Sequence, residues 1–270
     1  MRPSRHPSPR LFLGPFLLPV LVTLLAVAGA GLVALAPAPA QAAGHCLFAA
    51  HRGYTAHAPE NSLRAFRNAI RRGADYLEMD VQATRDGRFA LMHDRTVDRT
   101  TDGTGRIADL TWAQVSRLRL GDGDPVPSLE QVLELARPSG TQVLLEMKWI
   151  PGSRFAALHR LVDAFGSSRV VVHSFSRWVV RHYRDAYPGA RTGLDVARPV
   201  SVSVARSFGG VLPDYRHVTD GWLRSLRDAG VPTYLSTLNT VAAWRHFTGK
   251  VTLVVTDRVV EYAAYRDRVC

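Results

Sequence analysis

The sequence has little of what several common classes of protein require. It contains two cysteines, Cys46 and Cys270, among 270 residues, which excludes a disulfide-rich scaffold and a cysteine-based metal cage. After residue 43 it has no tandem repeat, no low-complexity tract and no stretch with the composition of a linker. The roughly 230 residues that follow are therefore expected to form one domain, large enough to bury a sizeable core.

Acidic residues are also in deficit. The chain has 34 lysines and arginines against 23 acidic residues, which gives a formal net charge of +11. The basic residues are mostly arginines and are scattered, with no block of five or more. No aromatic–basic strand motif or recognition helix accompanies them, so we predict no nucleic-acid partner. The positive charge instead favours attraction to anionic small molecules such as phosphodiesters.

Residues 1–43 have the composition of an export signal. Three arginines precede an almost wholly apolar stretch at 11–36, and small residues at 38–42 have the spacing that signal peptidase requires. We predict cleavage near Ala40 or Ala42, which leaves 44–270 as a secreted or extracytoplasmic domain. The alternative is an uncleaved anchor with an external domain, because the apolar stretch is long enough to span a bilayer.

After residue 43, short β-branched runs alternate with helical patterns. The first strand is predicted at Leu47–His51, the second at Tyr76–Thr84 and the last at Val251–Thr256, with Asn61 as the N-cap of the first helix. Eight such strand–helix units favour a TIM-type (β/α)8 barrel over an open sheet. Residues 94–127 interrupt the alternation as a loop-rich excursion.

Charged side chains stand at the carboxyl ends of the predicted strands. Alternate residues on a strand share a face, so Glu78 points with Asp80, and Glu146 points with Lys148. Single charges are too costly to bury in an apolar core. Because the carboxyl ends of barrel strands meet at one mouth, we expect one polar site built from these side chains: His51, Arg52, Glu78, Asp80, His93, Glu146 and Lys148.

The residue types predict metal-assisted chemistry on a phosphate. Glu78, Asp80 and Glu146 are oxygen ligands suited to Mg²⁺ or Ca²⁺, and no cysteine or His-x-x-x-His spacing adds the donors that zinc prefers. Such a set of carboxylates, imidazoles and cations is typical of metal-assisted phosphoryl transfer.

The histidines and cations have their own predicted roles. His51 and His93 can transfer protons near neutral pH, and Arg52 and Lys148 can bind phosphate and neutralise its developing charge. The bland alternatives are a hydrogen-bonded structural histidine and a lysine that merely pairs with a carboxylate. His173, in the fourth strand, fits either a core or a barrel-lining position, and His57 lies in a loop of small residues.

These residues lie in segments that resemble the glycerophosphodiester phosphodiesterase family. The resemblance is close and collinear over about 47–148 and is carried by segments at 51–53, 59–66, 77–81, 93–94, 99–105, 126–130 and 145–148. It weakens afterwards, although residues 255–257 resemble the family's final strand. Where the family usually has Trp-Thr-x-Asn at strand seven, this chain has Ser236, Thr237, Leu238 and Asn239, which removes one aromatic wall of the pocket.

The resemblance implies a barrel that hydrolyses glycerophosphodiesters to glycerol 3-phosphate and an alcohol. It implies a divalent cation on Glu78, Asp80 and Glu146, with His51 and His93 as the acid/base pair. It also implies that residues 94–127 are a small insertion after strand two, lying over the barrel mouth. The substrate would be a small phosphodiester or a lipid-derived one, and the sequence predicts no oligomeric state.

Two other functions remain open at this point. The first is a lyase-type phospholipase, similar to phosphatidylinositol-specific or sphingomyelinase-D-like enzymes, which would form a cyclic phosphate. The second, less favoured because all the charged groups are present, is a secreted barrel that binds without turnover.

The barrel topology brings the two cysteines together. Cys46 precedes strand one at the bottom of the barrel, and a final helix at 259–268 returns from strand eight to the same end. Strands eight and one are neighbours in a closed barrel. We therefore predict a disulfide between Cys46 and Cys270, opposite the site.

Overall fold

The structure is a computed structural model that describes residues 46–270. The predicted signal peptide or anchor at 1–43 lies outside these residues and stays a prediction. The described residues include nine strands: β1 Phe48–Ala50, β2 Tyr76–Ala83, β3 Phe89–Leu91, β4 Gln142–Met147, β5 Val170–Ser174, β6 Arg191–Val196, β7 Val211–Pro213, β8 Tyr234–Leu235 and β9 Leu253–Thr256. Nine α-helices accompany them in this part of the chain: α1 Leu63–Arg71, α2 Trp112–Val115, α3 Leu129–Ala136, α4 Phe155–Phe165, α5 Arg177–Ala186, α6 Val202–Ser207, α7 Asp220–Asp228, α8 Val241–Phe247 and α9 Val259–Val269.

Eight of the strands are parallel and run in the order β7-β6-β5-β4-β2-β1-β9-β8. Isolated parallel bridges from Val211 to Thr233 and from Asp214 to Ser236 join β7 to β8 and close the circle. The predicted TIM-type barrel is therefore confirmed. Among residues 46–270, none of the helices combines the length and the apolar character needed to cross a bilayer.

Apolar side chains fill the barrel in two layers. Inward-facing residues from alternate strand positions, such as Leu144, Val171 and Val255, pack in the interior. The opposite faces of the same strands pack against the helices, as Met79 and Leu145 do. Alternate side chains along each strand point into the lumen. The inward-facing residues closer to the carboxyl ends of the strands, past this apolar layer, therefore lie at the mouth of the barrel.

Residues 89–127 leave the barrel after β2. β3 pairs antiparallel with β2, and the segment that follows carries a small core of its own. That core includes Val97, Ile107, Val115 and Val126. The segment is thus packed as a unit next to the carboxyl end of β2.

The first helix begins one residue later than predicted. Ser62, not Asn61, caps α1, because its Oγ accepts a hydrogen bond from the Ala65 amide at 3.0 Å. Asn61 has a φ of 57° and its side chain points to the barrel mouth instead. Asparagine tolerates a left-handed backbone better than most residues do. Asn61, which the sequence suggested as a helix cap, therefore contributes to the site at the barrel mouth instead.

The bottom of the barrel is closed by polar and covalent contacts. Arg191 donates to Gln142 Oε1 at 2.9 Å, to the Ser168 carbonyl at 2.7 Å and to the Tyr76 hydroxyl at 3.2 Å. A disulfide joins Cys46 and Cys270, whose Cα atoms are 6.3 Å apart. The pairing that the topology predicted is the one the structure has.

Candidate active site

Three buried carboxylates converge at the mouth of the barrel. Glu78 and Asp80 are inward positions of β2, and Glu146 on β4 pairs in register with Asp80. One ligand atom from each lies within 4.8 Å of the others. All three side chains are buried, which is too costly for three like charges without a compensating cation. The donor set fits a divalent cation that prefers oxygen.

The loop between β1 and α1 holds two of these carboxylates in place. The Arg52 amide donates to Glu78 Oε2 at 2.9 Å, and the Asn61 side-chain amide donates to Asp80 Oδ2 at 2.8 Å. The Asn61 Oδ1 in turn accepts from the Asp80 amide at 3.1 Å. Both Arg52 and Asn61 have positive φ, of 54° and 57°, so this loop is bent toward the carboxylates.

Two cations stand beside the carboxylates. Lys148 Nζ lies 2.7 Å from Glu146 Oε2 and 3.2 Å from Asp80 Oδ1. Arg52 Nε lies 3.2 Å from Asp80 Oδ2, and its Nη1 donates to Glu60 Oε1 at 3.2 Å. Asp80 Oδ1 and Arg52 Nε nevertheless have no hydrogen-bond partner among the described residues. Such unsatisfied buried atoms indicate a place for a ligand.

The pKa values of the carboxylates are driven apart. Burial, with Asp195 nearby, raises the pKa of Glu146 to about 8. Burial and the neighbouring Asp80 likewise raise the pKa of Glu78. Burial acts in the same direction on Asp80, but Lys148 and Arg52 outweigh it and lower the pKa of that carboxyl. Separated pKa values of this kind are typical of functional sites.

His51 is oriented by a carboxylate from the last strand. Its Nδ1 lies 2.7 Å from Asp257 Oδ1, and its Nε2 lies 4.0 Å from Glu78 Oε2. Burial lowers the pKa of His51, but the hydrogen bond to Asp257 and the charge of Glu78 outweigh it, so the pKa is raised. Asn239 donates to Asp257 Oδ2 at 2.6 Å and fixes that carboxylate. Since an ionised carboxylate only accepts, His51 carries its proton on Nδ1 and presents Nε2 to the site.

His93 has the same arrangement on the other side. Its Nδ1 lies 2.7 Å from Asp94 Oδ1, and a hydrogen bond from Arg99 lowers the pKa of the Asp94 carboxyl to about 2. Gln82 on β2 donates to the Met92 carbonyl at 3.1 Å and to the His93 carbonyl at 3.3 Å, which fixes the backbone of this segment. The two predicted acid/base histidines are thus both placed at the mouth with Nδ1 bonded to a carboxylate.

A third histidine was left undecided by the sequence. His173 on β5 pairs in register with Glu146 and is fully buried. Its Nδ1 lies 2.9 Å from Asp195 Oδ2, whereas its Nε2 has no partner among the described residues. Burial lowers the pKa of His173, but Asp195, with Glu146 and Glu78, raises it to about 9.

Sequence reasoning did not single out Asp195 or Asp257, nor the side chain of Asn61 as a site residue. Inward alternation along the strands would have pointed to the two aspartates, because Asp195 within β6 and Asp257 directly after β9 both fall on the lumen-facing alternation. The other histidine that the sequence left open, His57, lies outside the cluster, where it is exposed beside Tyr54.

Known proteins are similar to this chain in sequence. The model of the glycerophosphoryl diester phosphodiesterase family matches residues 51–261. A glycerophosphodiester phosphodiesterase of Caldanaerobacter subterraneus is 34% identical over 159 residues, which cover 55% of this chain and 65% of that protein. A Mycobacterium tuberculosis protein named as a probable glycerophosphodiester phosphodiesterase is 36% identical over 198 residues, covering 62% of this chain and 71% of that protein. The chain thus spans somewhat less than two thirds of the Caldanaerobacter relative.

Solved structures are similar in fold. A glycerophosphodiester phosphodiesterase of Agrobacterium tumefaciens has a TM-score of 0.71 and 26% identity, covering 82% of this chain and 100% of that one. A phosphodiesterase of Oleispira antarctica, in complex with the product sn-glycerol-3-phosphate, has a TM-score of 0.75 and 22% identity, covering 81% and 96%.

Proposed function

The chain belongs to the glycerophosphoryl diester phosphodiesterase family, as the resemblance of residues 47–148 predicted, and on this premise we propose that it hydrolyses glycerophosphodiesters to glycerol 3-phosphate and an alcohol. The observation that carries the proposal is the buried cluster of Glu78, Asp80 and Glu146, with Arg52 and Lys148 against it. A site of this composition suits a negatively charged phosphodiester and a divalent cation.

Each group has a part in this reaction. Glu78, Asp80 and Glu146 would hold the cation, which when bound supplies Lewis acidity at a phosphoryl oxygen. Arg52 and Lys148 bind the non-bridging oxygens and stabilise the charge that grows on them in the transition state. One of His51 and His93 accepts the proton of the attacking oxygen, and the other gives a proton to the departing alcohol oxygen.

The histidines suit proton transfer because their Nδ1 atoms are already bonded. Asp257 orients His51 and Asp94 orients His93, so each ring presents Nε2 and keeps one tautomer. An oriented imidazole loses little freedom when it meets the substrate, which is the usual benefit of such carboxylate–histidine pairs.

The cation we propose is Mg²⁺ or Ca²⁺, since the three donors that converge are all carboxylate oxygens. We further propose that the enzyme acts outside the cytoplasm. The signal-like composition of residues 1–43 and the disulfide between Cys46 and Cys270 support that location.

A panel of glycerophosphodiesters tests the activity. The purified protein is assayed for glycerol 3-phosphate after exhaustive chelation, and then with Mg²⁺ or Ca²⁺ restored. We expect no turnover without a cation and recovery with one of the two. Full activity after chelation would overturn the metal assignment, and a cyclic phosphate as the product would favour the lyase instead.

A further inference from the structure

Exposed apolar side chains are concentrated at the mouth of the barrel. Among residues 46–270 the large exposed ones are Trp149 at 55%, Phe175 at 63%, Trp178 at 53%, Val241 at 44% and Val269 at 54%. The first three lie in or directly after the loops that follow β4 and β5, and Val241 begins the helix after β8. Only Val269 lies at the opposite end. Scattered exposure needs no explanation, but a cluster on one face of the fold does.

The three aromatic residues Trp149, Phe175 and Trp178 lie at or just after the connections that follow the neighbouring strands β4 and β5, and are here called the aromatic rim. Ser174 Oγ donates to the Met147 carbonyl at 2.7 Å and joins the ends of β5 and β4, just before Phe175 and Trp149. Trp178 packs over Gly152 in the β4–α4 loop, where a Cβ atom would lie 3.1 Å from its ring. The Phe175 ring lies 5.9 Å from Lys148 Nζ, so the rim borders the candidate active site.

Positive charge lies beside the aromatic rim. Segments 148–154 and 175–181 contain no acidic residue, and Arg154 and Arg177 lie in them next to the rim. Lys148 is neutralised by Glu146 and Asp80, and Arg181 packs over Phe208 instead. The Arg95 guanidinium lies 5.5 Å from the centroid of the Trp149 ring. Arg95 and Lys148 thus already lie over the rings of Trp149 and Phe175. The aromatic rim is therefore poorly suited to bind a cationic head group through an aromatic cage.

The charge also decides between two candidate partners for the aromatic rim, a second copy of this chain and an anionic lipid surface. A second copy of this chain, docked by the same face, would bring Arg95, Arg154 and Arg177 close to the same three arginines of the other copy, which is repulsive. An anionic lipid surface complements both features, because tryptophan rings settle at the interface of a bilayer and each nearby arginine is attracted to acidic head groups.

We propose that the aromatic rim docks the mouth of the barrel onto an anionic lipid surface, so that phosphodiesters carried in that surface reach the site. The docking itself does not depend on hydrolysis. Only its consequence, a preference for substrates held in a lipid surface over free ones, rests on the proposed function.

The test compares wild type with Trp149→Ser/Trp178→Ser, and with Val269→Ser as an exposed-residue control at the other end. Phe175 is left in place because it contacts Lys148. All are made from the full chain, so that any contribution of residues 1–45 is the same. Binding to vesicles of phosphatidylcholine with phosphatidylglycerol is measured by co-sedimentation, and insertion by quenching of tryptophan fluorescence with brominated lipid.

We expect quenching in wild type and in Val269→Ser, and its loss in the double variant. Vesicle affinity should fall at least about tenfold, given the apolar area that two tryptophans bury. Removal of phosphatidylglycerol should also weaken binding, and Arg177→Ser should weaken it roughly fivefold.

Three results would overturn the proposal. They are vesicle binding and quenching unchanged by the double substitution, binding that ignores anionic lipid, and a wild-type dimer that the double variant turns into a monomer without any vesicle binding. Turnover of a short soluble glycerophosphodiester is measured in parallel. If vesicle binding fails while that turnover persists, docking is wrong and the proposed function stands. If vesicle binding occurs while no glycerophosphodiester is turned over, docking stands and the proposed function is wrong.

Discussion

The two ends of the barrel both bury polar groups but treat them differently. At the bottom, Arg191 donates to three acceptors, including Gln142 and the Tyr76 hydroxyl, and that hydroxyl itself donates to Gln142 at 2.7 Å. At the mouth, Asp80 Oδ1, Arg52 Nε and His173 Nε2 have no hydrogen-bond partner among the described residues. The Arg191 network is complete without a ligand, although Arg169 Nε at the same end also has no partner among the described residues, and the network at the mouth is incomplete at all three of these atoms.

The comparison shows where stability and function lie in this fold. A fully satisfied buried network fixes a structure, whereas an unsatisfied one costs free energy until something binds. Two of the carboxylates at the mouth, Glu78 and Glu146, show that cost as raised pKa values, whereas the bottom adds a covalent link. We therefore expect substitutions at the mouth to change activity most, and substitutions at the bottom to change stability alone.

The largest effect is expected from Glu146→Gln. It removes one of the three oxygen donors, so cation binding and nearly all turnover should be lost while the fold persists. Isothermal titration with Mg²⁺ or Ca²⁺ and release of glycerol 3-phosphate measure the two effects. Glu134→Gln, at an exposed position of α3, is the matched control. An unchanged cation affinity in Glu146→Gln would remove this residue from the site.

The same carboxylate should make the cation-free protein sensitive to pH. Burial raises the pKa of Glu146 from 4.5 to about 8, so within that window the folded protein holds a proton that the unfolded chain releases. The free energy of unfolding should therefore fall as pH rises from about 4.5 towards 8. Urea unfolding across this range measures the slope, which should become shallower in Glu146→Gln and with saturating cation, with the raised pKa values of Glu78 and His173 maintaining part of it in Glu146→Gln. A wild-type slope of the opposite sign would contradict the comparison.

The next effect concerns the two histidines. His51→Ala and His93→Ala should each lower kcat by roughly 10²–10⁴-fold, the usual contribution of acid–base catalysis. The double variant should lose much less than the product of the two, because the residues act in one proton-transfer sequence. His57→Ala is the control, since that side chain is exposed and outside the cluster. An equal loss in His57→Ala would mean that the wrong histidine had been chosen.

A smaller effect is expected from Asp257→Asn. The hydrogen bond that His51 donates to Asp257 raises the pKa of His51, so its loss should lower that pKa and move the limb of the kcat/KM profile that His51 controls to lower pH. We expect activity to fall roughly 10–100-fold, the usual cost of losing a carboxylate that orients a functional histidine. A fall in activity with an unmoved pH profile would argue for a structural role only.

The smallest effect on catalysis is expected at the bottom. Cys46→Ser/Cys270→Ser should leave kcat and KM unchanged, because the disulfide lies at the end opposite the site. Thermal unfolding should shift markedly, since a link between residues 224 positions apart is worth on the order of 5 kcal/mol in the chain-entropy model before strain. A loss of activity in the cysteine double variant under conditions where it is as fully folded as wild type would show that the two ends of the barrel are coupled.

Most of the barrel and half of the site could be predicted from sequence. Strand periodicity placed Glu78, Asp80 and Glu146 together because alternation along parallel strands is a local property. The pairing of His173 with Asp195 needed the register of β5 and β6, and the position of Asn61 needed the bend of a whole loop. The exposure of Trp149 and Trp178 could not be predicted from the sequence either, because large apolar residues are usually found in the core.

The disulfide also changes the topology of the molecule. With Cys46 bonded to Cys270, residues 46–270 form a closed covalent ring. A protease that cuts one exposed loop would open this ring without separating two pieces, and the nicked protein would behave as a circular permutant whose barrel keeps all its strands. Loops far from the mouth, such as the one at Gly140, are therefore sites where the chain could be cut or given new ends.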